Sequence, residues 1–450
     1  MDWKNLLSPK RFGDKTEIEH SNESRSRFEQ DYDRLIFSHP FRKLQDKTQV
    51  FPLPEDDFVH TRLTHSLEVS SVGRSLGKAV GEKLLEKYPQ LKSSGYSLHD
   101  FGGIVAAASL AHDLGNPPFG HAGETAISSF FTDMEAGKAF KELVDPKEWT
   151  DLISFEGNAQ GFRILNDADN GGLRLTFACL GAFTKYPRSS SAPKGSERKS
   201  QKKYGYYRSE SVEFEAIAKE MQLLELGPEA WCRHPLAFLV EASDDICYNI
   251  IDLEDGCRLG LVPFDQTRDL LAAIIGDRYQ PKKLDRLSDT NQKLGLLRAM
   301  AISRLVEESV EVFLERETEL LAGNFDQALT DCIPSSGPLT DISNLSIKEI
   351  YQSKQVLQRE AGGFEVIGRL MEAYCMATYL KQFAPDAYTP RKRSIFRLLP
   401  ELYQQKLGKD GLSVYETLMV VMDFISSLTD SYAIKLYKTI YGHSLPETKA

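Results

Sequence analysis

Apolar residues recur along most of the chain at the spacing of an amphipathic helix. In residues 60–88 the apolar positions follow one another at steps of four or five, and the pattern stops before Pro89, which cannot continue a helix. Residues 104–111 are apolar or small on every side, which is typical of a buried helix. Further helices are predicted over residues 121–144, 156–166, 234–253, 292–321, 347–383 and 412–441.

Strand patterns are scarce by comparison. The best short candidates, where apolar and polar residues alternate, are residues 173–177 and 204–207. No segment of the chain repeats another. The sequence therefore predicts a mainly α protein with a few short strands.

The composition is that of a globular chain with a sizeable core, since 41% of the residues are hydrophobic and 27% are charged. A length of 450 residues allows two or three average domains or one large helical domain. No apolar run reaches the eighteen or so residues that a membrane span needs. The six cysteines are scattered without a CxxC pair, and the N-terminus lacks a signal peptide, so we expect a cytoplasmic protein with reduced thiols.

The net charge of −10 gives no support to general nucleic-acid binding. One segment departs from that balance, because residues 187–208 contain seven basic residues and one acid. We interpret its Ser/Lys centre as a flexible, solvated loop. Its aromatic and basic ends, at residues 185–186 and 204–207, could lie over an anionic ligand.

Histidine and aspartate residues stand where a metal site could form. His112 and Asp113 follow directly on the buried alanine-rich helix, and His65 lies in the earlier helix. A carboxylate at the end of a buried apolar segment is costly unless something neutralises it, and a divalent cation does so. Imidazole and carboxylate together suit such an ion.

A fourth ligand is expected from the helix over residues 234–253. Asp244, Tyr248 and Asp252 follow at steps of four, and each step advances about 40° around the helix axis, so the three share one face. Asp245 points about 100° away. Asp244 is therefore the expected ligand, which leaves Tyr248 and Asp252 to touch a bound molecule.

Longer stretches around these residues resemble a known family. The order H…HD…D on helices resembles the HD-domain phosphohydrolases, and HDLGNPPFGHAGETAI at residues 112–127 is similar to the signature of bacterial dGTP triphosphohydrolases. Residues 41–52, 155–163 and 423–430 also resemble segments of that family. The resemblance extends from about residue 25 to 440 and implies a large HD-domain helical fold.

The resemblance also implies a division of the chain into three parts. Residues 1–58 would form an N-terminal arm that begins the substrate pocket, and residues 59–260 the HD core with the basic loop 187–208. Residues 261–450 would form a C-terminal helical region that completes the pocket and carries oligomer contacts.

The family's site residues carry over as expectations. The implied metal ligands, for Mg²⁺ or Mn²⁺, are His65, His112, Asp113 and Asp244. His121 and Glu124 match the catalytic pair, in which His121 protonates the leaving 5′ oxygen and Glu124 orients it. The implied substrate contacts are Gln49, Arg62, Lys185, Tyr186, Tyr248 and Asp252.

The implied reaction is hydrolysis of dGTP, or of other dNTPs as well, to deoxynucleoside and inorganic triphosphate. Two alternatives stay open: an HD-domain 5′-nucleotidase or phosphodiesterase, and a nucleotide- or single-stranded-DNA-sensing protein without turnover. The family also suggests a homo-oligomer such as a hexamer, and a single-stranded DNA or nucleotide effector. No membrane partner is expected.

Overall fold

The computed structural model describes residues 1–14, 25–50, 60–167, 172–193 and 198–443. In the first half of the chain the α-helices are α1 (Trp3–Leu6), α2 (Arg27–Ile36), α3 (His39–Lys43), α4 (Arg62–Lys87), α5 (Pro89–Ser93), α6 (Leu98–Ala111), α7 (His121–Asp133), α8 (Glu135–Lys138), α9 (Pro146–Ile153), α10 (Gly157–Asn166), α11 (Phe177–Phe183) and α12 (Ser211–Met221).

The second half continues in the same way. Its α-helices are α13 (Pro235–Arg258), α14 (Phe264–Ile275), α15 (Pro281–Asp285), α16 (Thr290–Glu315), α17 (Glu317–Leu321), α18 (Leu329–Cys332), α19 (Ser336–Leu345), α20 (Lys354–Phe383), α21 (Pro390–Arg397), α22 (Glu401–Lys406), α23 (Val414–Ser426) and α24 (Asp430–Ile440). Two antiparallel strands, β1 (Glu225–Gly227) and β2 (Ala230–Trp231), form the one sheet of the described residues. The prediction of a mainly α fold with a few short strands is confirmed.

Helices α4 and α6 pack along each other. Three of the predicted metal ligands lie in this pair, with His65 in α4 and with His112 and Asp113 directly after α6. Side chains at their first turns close each start: Thr61 accepts from Thr64 N, and Ser97 accepts from His99 N. Gly77 permits the close approach, since a Cβ there would meet the carbonyl oxygen of Phe101 at 2.7 Å. The two helices are therefore a rigid pair under the site.

Helix α13 crosses this pair and is buried along most of its length. Together with α2, α11, α14 and α16 it surrounds the larger of two apolar clusters. The smaller cluster joins α7 and α9 to the C-terminal helices α20–α24. The C-terminal part of the chain thus packs against α7, whose first turn carries the predicted catalytic pair.

Most predicted helices are confirmed with interruptions. Residues 60–88, 104–111, 156–166 and 234–253 correspond to α4, α6, α10 and α13. The predicted helix 121–144 breaks at Met134, and 292–321 breaks at Arg316. The predicted helices 347–383 and 412–441 are each divided by a short break, the former after the π-helical turn Ser346–Tyr351.

Both predicted strands are wrong. In residues 173–177 the alternation ends in a helix start, because Thr176 caps α11 by accepting a hydrogen bond from Cys179 N. Residues 204–207 form no strand either; Tyr206 makes a single isolated bridge with Ser189. A short alternating run is weak evidence for a strand when a capping residue stands within it.

The basic segment 187–208, whose Ser/Lys centre is predicted to be a solvated loop, is buried at several of its described positions. Residues 194–197 lie outside the described residues, but Arg188, Ser189, Ser200 and Tyr206 on either side are buried. The Arg188 guanidinium donates to the carbonyl oxygens of Gln201 and Ala192, so it is used inside the fold. The described part of the segment is packed against the protein.

Among the described residues, no helix combines the length and the apolarity that a membrane crossing needs.

Candidate active site

Two histidines and two aspartates from three helices converge at one point. His65 lies in the first turns of α4, His112 and Asp113 follow the last residue of α6, and Asp244 lies midway along α13. One side-chain ligand atom from each of His65, His112 and Asp113 lies within 4.8 Å of the others. Asp244 Oδ1 lies 3.2 Å from His65 Nε2 and 3.5 Å from His112 Nε2. The four residues can therefore surround one cation.

The orientation of His112 fits such a role. Its Nδ1 lies 2.7 Å from the carbonyl oxygen of Ser109, an arrangement in which Nδ1 carries the proton and Nε2 keeps its lone pair. Metal-binding histidines commonly use their second nitrogen in this way. Imidazole and carboxylate ligands suit a divalent ion, so the residues present fit a metal centre.

The charge balance of this cluster favours ionised carboxylates. Burial alone would raise the pKa values of Asp113 and Asp244. The positive charge of the neighbouring Arg62 nevertheless lowers the pKa of Asp113, and His112 lowers the pKa of Asp244. Burial alone would lower the pKa of His65, but the hydrogen bond with Asp244 raises that pKa. The two carboxylates are thus held in the ionised form that binds a cation, and His65 would lose its proton on binding one.

The predicted catalytic pair lies at the start of α7. His121 Nδ1 is 2.7 Å from Glu124 Oε2, and the other carboxylate oxygen accepts a hydrogen bond from Gly157 N at 2.8 Å. The His121 side chain is 85% exposed, whereas that of Glu124 is 12% exposed. The hydrogen bond to Glu124 raises the pKa of His121. Glu124 therefore orients a histidine whose Nε2 has no hydrogen-bond partner among the residues that the structure describes.

The cluster and the pair face one cavity of about 400 Å³. Of the twelve residues that the sequence predicted, eleven line it: Gln49, Arg62, His65, His112, Asp113, His121, Glu124, Lys185, Tyr186, Asp244 and Tyr248. The structure thus brings together residues from the N-terminal arm, α4, α6, α7 and α13. The twelfth, Asp252, is not among the lining residues.

Asp252 instead lies behind a tyrosine that the sequence analysis did not select. Tyr351 donates a hydrogen bond to Asp252 Oδ2 at 2.7 Å, and its ring stacks on Tyr248 with centroids 5.6 Å apart. Tyr248 and Tyr351 both line the cavity. Gln49 also lines the cavity, and its buried amide oxygen has no hydrogen-bond partner among the described residues.

The cationic side chains of the cavity are each paired with a carboxylate. Arg62 donates to Asp113 Oδ2 at 2.8 Å, and Lys185 Nζ lies 3.4 Å from Glu241. Burial alone would lower the pKa of Lys185, but the neighbouring carboxylate of Glu241 raises that pKa, which keeps the lysine charged. The ring of Tyr186 lies beside it, 5.9 Å from Lys185 Nζ.

Several lining residues were missed from the sequence. Lys203 lies in the basic segment 187–208, for whose centre the sequence predicts a solvated loop. It lines the cavity, and its Nζ lies 3.1 Å from a carboxylate oxygen of Glu156. Arg359 and Tyr351 come from the C-terminal region. The only sequence signal for Lys203 was the aromatic and basic end of its segment, and Arg359 had none.

Comparisons with known proteins agree with this geometry. Residues 62–153 match the HD domain family, and residues 339–439 match the family described as the phosphohydrolase-associated domain. These two matches and the His/Asp cluster place the chain in the class of proteins that carry an HD domain with a phosphohydrolase-associated domain.

Relatives that match nearly the whole chain define the family. A deoxyguanosinetriphosphate triphosphohydrolase-like protein of Synechocystis sp. is 41% identical over 99% of this chain and 100% of its own length. A protein of the same description from Pseudomonas aeruginosa is 38% identical with the same coverage. The deoxyguanosinetriphosphate triphosphohydrolase of Salmonella arizonae is 30% identical over 92% of this chain and 93% of its own. The chain belongs to the family of deoxyguanosinetriphosphate triphosphohydrolases and triphosphohydrolase-like proteins.

Proposed function

We propose that this protein hydrolyses dGTP, or dNTPs more broadly, to a deoxynucleoside and inorganic triphosphate. One observation carries the proposal: the His/Asp cluster and the His121–Glu124 pair line the same cavity, together with Lys185 and Lys203. A cation site and a proton donor facing one another are what cleavage of a phosphate ester requires. The names of the Salmonella and Yersinia relatives support dGTP as the first substrate to test.

In this proposal His65, His112, Asp113 and Asp244 hold one Mg²⁺ or Mn²⁺ ion. When bound, such an ion supplies positive charge to a phosphate oxygen and lowers the pKa of a water molecule. Asp113 also orders its neighbours, because it accepts hydrogen bonds from Arg62 and from Asn116. Arg62 is thereby aimed at the place where the α-phosphate would lie.

The outer phosphates would be bound by residues from the segment between α11 and α12. Lys185, Tyr186 and Lys203 of this segment line the cavity, and the two lysine side chains are 27% and 38% exposed. Each lysine can therefore exchange part of its contact with a glutamate for a phosphate oxygen without movement of the backbone. Charge-assisted hydrogen bonds of this kind are the strong ones.

His121 would complete the reaction by proton transfer. A water oxygen bonds to the α-phosphorus and releases one proton to the solvent, while the bond from that phosphorus to the 5′ oxygen breaks. The 5′ oxygen takes a proton from His121 Nε2, and His121 is reprotonated from the solvent. The electron pair of the broken bond leaves with the deoxynucleoside oxygen. Glu124 holds the imidazole by Nδ1 and favours its protonated form, which suits a general acid.

The sugar would lie against Tyr248, where an added 2′-hydroxyl finds little room. Gln49 and Asp252 would bind the 3′-hydroxyl, with Asp252 acting through Tyr351. The unpartnered amide oxygen of Gln49 is consistent with a ligand contact there. Such a site discriminates against ribonucleotides by exclusion.

The test is a substrate panel with product identification. Each dNTP and each rNTP is incubated with Mg²⁺ or Mn²⁺, and the products are separated by chromatography. We expect deoxynucleoside and intact triphosphate from dGTP, with heavy oxygen from labelled water in the triphosphate. Release of orthophosphate or a monophosphate would instead support the nucleotidase or phosphodiesterase alternative, and binding without turnover would support a sensor.

We also propose that the protein is a cytoplasmic homo-oligomer, with a hexamer as the state to test, and that single-stranded DNA or a nucleotide acts as an effector. Light scattering behind size exclusion gives the mass; a monomer would contradict the first part. Titration with a labelled single strand at two salt concentrations tests the second, because phosphate contacts weaken steeply with salt. No binding at low salt would exclude DNA as the effector.

A further inference from the structure

Asp430, the first residue of α24, is a buried carboxylate from the far end of the chain that contacts residues lining the cavity. It is 2% exposed. Its Oδ1 accepts a hydrogen bond from Phe119 N at 2.9 Å, and its Oδ2 accepts one from Thr48 N at 3.0 Å. The Arg359 guanidinium also donates to Oδ2. One side chain thus binds three separate segments.

Each of these three partners borders the candidate active site. Thr48, Phe119 and Arg359 all line the cavity. Thr48 directly precedes Gln49, and Phe119 stands two residues before His121. Asp430 itself is absent from the lining, so its influence on a bound substrate has to pass through these neighbours.

The Phe119 segment needs an anchor. Its φ angle is +64°, in the left-handed region that a bulky residue rarely adopts, and Gly120 follows with a φ of +58°. The Arg359 guanidinium lies over the Phe119 ring at 5.7 Å. A Cβ at Gly363 would come within 2.8 Å of that ring, so α20 supports it closely. Asp430 holds the backbone of the same residue from the other side.

Neighbouring contacts join the same segments. Lys47 Nζ donates to the carbonyl oxygens of Asn116, at 2.5 Å, and of Ser426, at 2.8 Å. Ser431 donates to Asp46 Oδ1 at 2.9 Å. The turn between α23 and α24 therefore ties residues 46–48 to residues 116–119. Only Asp430 contacts Phe119 and Thr48 at the same time among these described side chains.

A carboxylate is needed for this set of contacts because all three partners are donors. Asparagine has the same shape but carries an NH₂ group in place of one oxygen. It can accept from one backbone N–H while its own donors face another. The substitution Asp430→Asn therefore removes the alignment and changes little of the volume.

We propose that Asp430 is a positioning residue, which aligns the loop before His121 with the Gln49 segment. The proposal rests on the proposed function for its kinetic consequence. Because His121 must meet the leaving oxygen at hydrogen-bond distance, a small displacement of its loop lowers turnover. Displacements of about 1 Å can reduce a rate roughly 100-fold, so we expect kcat to fall by roughly 10- to 100-fold.

A matched control separates alignment from general stability. Asp31 is also fully buried, pairs with Arg11 at 2.8 Å and accepts from Thr176 N at 2.9 Å, yet it does not line the cavity. Asp430→Asn and Asp31→Asn are compared for thermal midpoint, Mn²⁺ binding, kcat and KM with dGTP. Both should lose stability and keep Mn²⁺ binding, but only Asp430→Asn should lose kcat. Equal kcat losses in the two variants, or an unchanged kcat in Asp430→Asn, would overturn the proposal.

Hydrogen exchange gives a readout that does not depend on activity. In Asp430→Asn, peptides covering residues 46–50 and 116–121 should exchange faster, whereas in Asp31→Asn they should match the wild type. If the wild-type protein hydrolyses no dNTP, the proposed function fails while this comparison still decides the positioning role. If Asp430→Asn does not fold, Gly363→Ala displaces Phe119 with the carboxylate intact. An unchanged kcat and unchanged exchange in Gly363→Ala would then contradict the inference.

Discussion

Two sets of residues that line the cavity are built in different ways. In the first set, which we call the ligand wall, His65, His112, Asp113 and Asp244 come from helices or directly follow one. In the second set, which we call the cation wall, Lys185 lies 3.4 Å from Glu241 and Lys203 lies 3.1 Å from Glu156. Both lysines lie outside the helices, in the segments between α11 and α12.

This difference teaches how each wall can respond to a substrate. The positions on the ligand wall are set by helix backbones, so a missing side chain there cannot be replaced by a neighbour. The lysines of the cation wall are flexible side chains that exchange a glutamate oxygen for a phosphate oxygen. We therefore expect substitutions on the ligand wall to remove turnover and substitutions on the cation wall to weaken substrate binding.

The largest effect should come from the ligand wall, where Asp244→Asn is paired with Asp245→Asn as its control. The two aspartates are adjacent on α13, but Asp245 does not line the cavity and accepts a hydrogen bond from Thr330 at 2.7 Å. We expect Asp244→Asn to lower kcat about 1,000-fold or more, since a metal ion contributes several kcal/mol to the transition state. Asp245→Asn should stay within about threefold of the wild type, because Asp245 does not line the cavity and the amide oxygen of asparagine can still accept the hydrogen bond from Thr330.

Steady-state kinetics with dGTP and Mn²⁺ binding by calorimetry measure this pair. Weak Mn²⁺ binding by Asp244→Asn alone identifies the ligand. If the two variants lose activity equally, the helix face chosen for the ligand is wrong.

The next largest effect should come from a substitution of His121, which also lines the cavity. His121→Gln removes the proton donor, and general acids contribute about 100- to 10,000-fold, so we expect a kcat loss of at least about 100-fold. His99, an exposed histidine in the first turn of α6, provides the control His99→Gln. Mn²⁺ binding should be unchanged in both variants. A His121→Gln enzyme with normal kcat would move proton transfer to another group.

The pH profile of Glu124→Gln tests why this histidine is protonated. The hydrogen bond to Glu124 raises the pKa of His121, so the wild type keeps its acid form to higher pH and loses kcat only as pH rises through that pKa. Loss of the carboxylate charge should move this alkaline decline to lower pH. The measurement is kcat against pH for both enzymes. An alkaline limb at the same pH in the two would show that Glu124 does not set the pKa.

The ligand wall could be predicted from sequence because its information is local. The buried run 104–111 places His112 and Asp113 at a helix end, and the four-residue steps in α13 put Asp244 and Tyr248 on one face. Both inferences need only helical periodicity, which the structure confirms. The ligand roles themselves stay a prediction until metal binding is measured.

Helical periodicity does not predict the residues of the cation wall or the contacts behind them. Lys203 differs from its exposed neighbour Lys202 only in where the segment packs, and composition alone indicated a solvated loop. Asp430 meets Thr48 and Phe119 across 382 and 311 residues of sequence. Contacts of this kind depend on how the helices pack, and no periodic pattern records them. The short alternation at 173–177 misled for a related reason, since capping by Thr176 decided the local structure.

The smallest effect should come from the cation wall, through Lys203→Met with Lys202→Met as its neighbour control. Lys203 lines the cavity and Lys202 is exposed. A charge-assisted hydrogen bond contributes about 1.5–3 kcal/mol, so its loss should raise the KM for dGTP about tenfold or more and change kcat little. Lys202→Met should leave KM unchanged at equal ionic strength. A kcat loss without a change in KM for Lys203→Met would contradict the division between the walls, because it would place this lysine among the groups that act in the transition state.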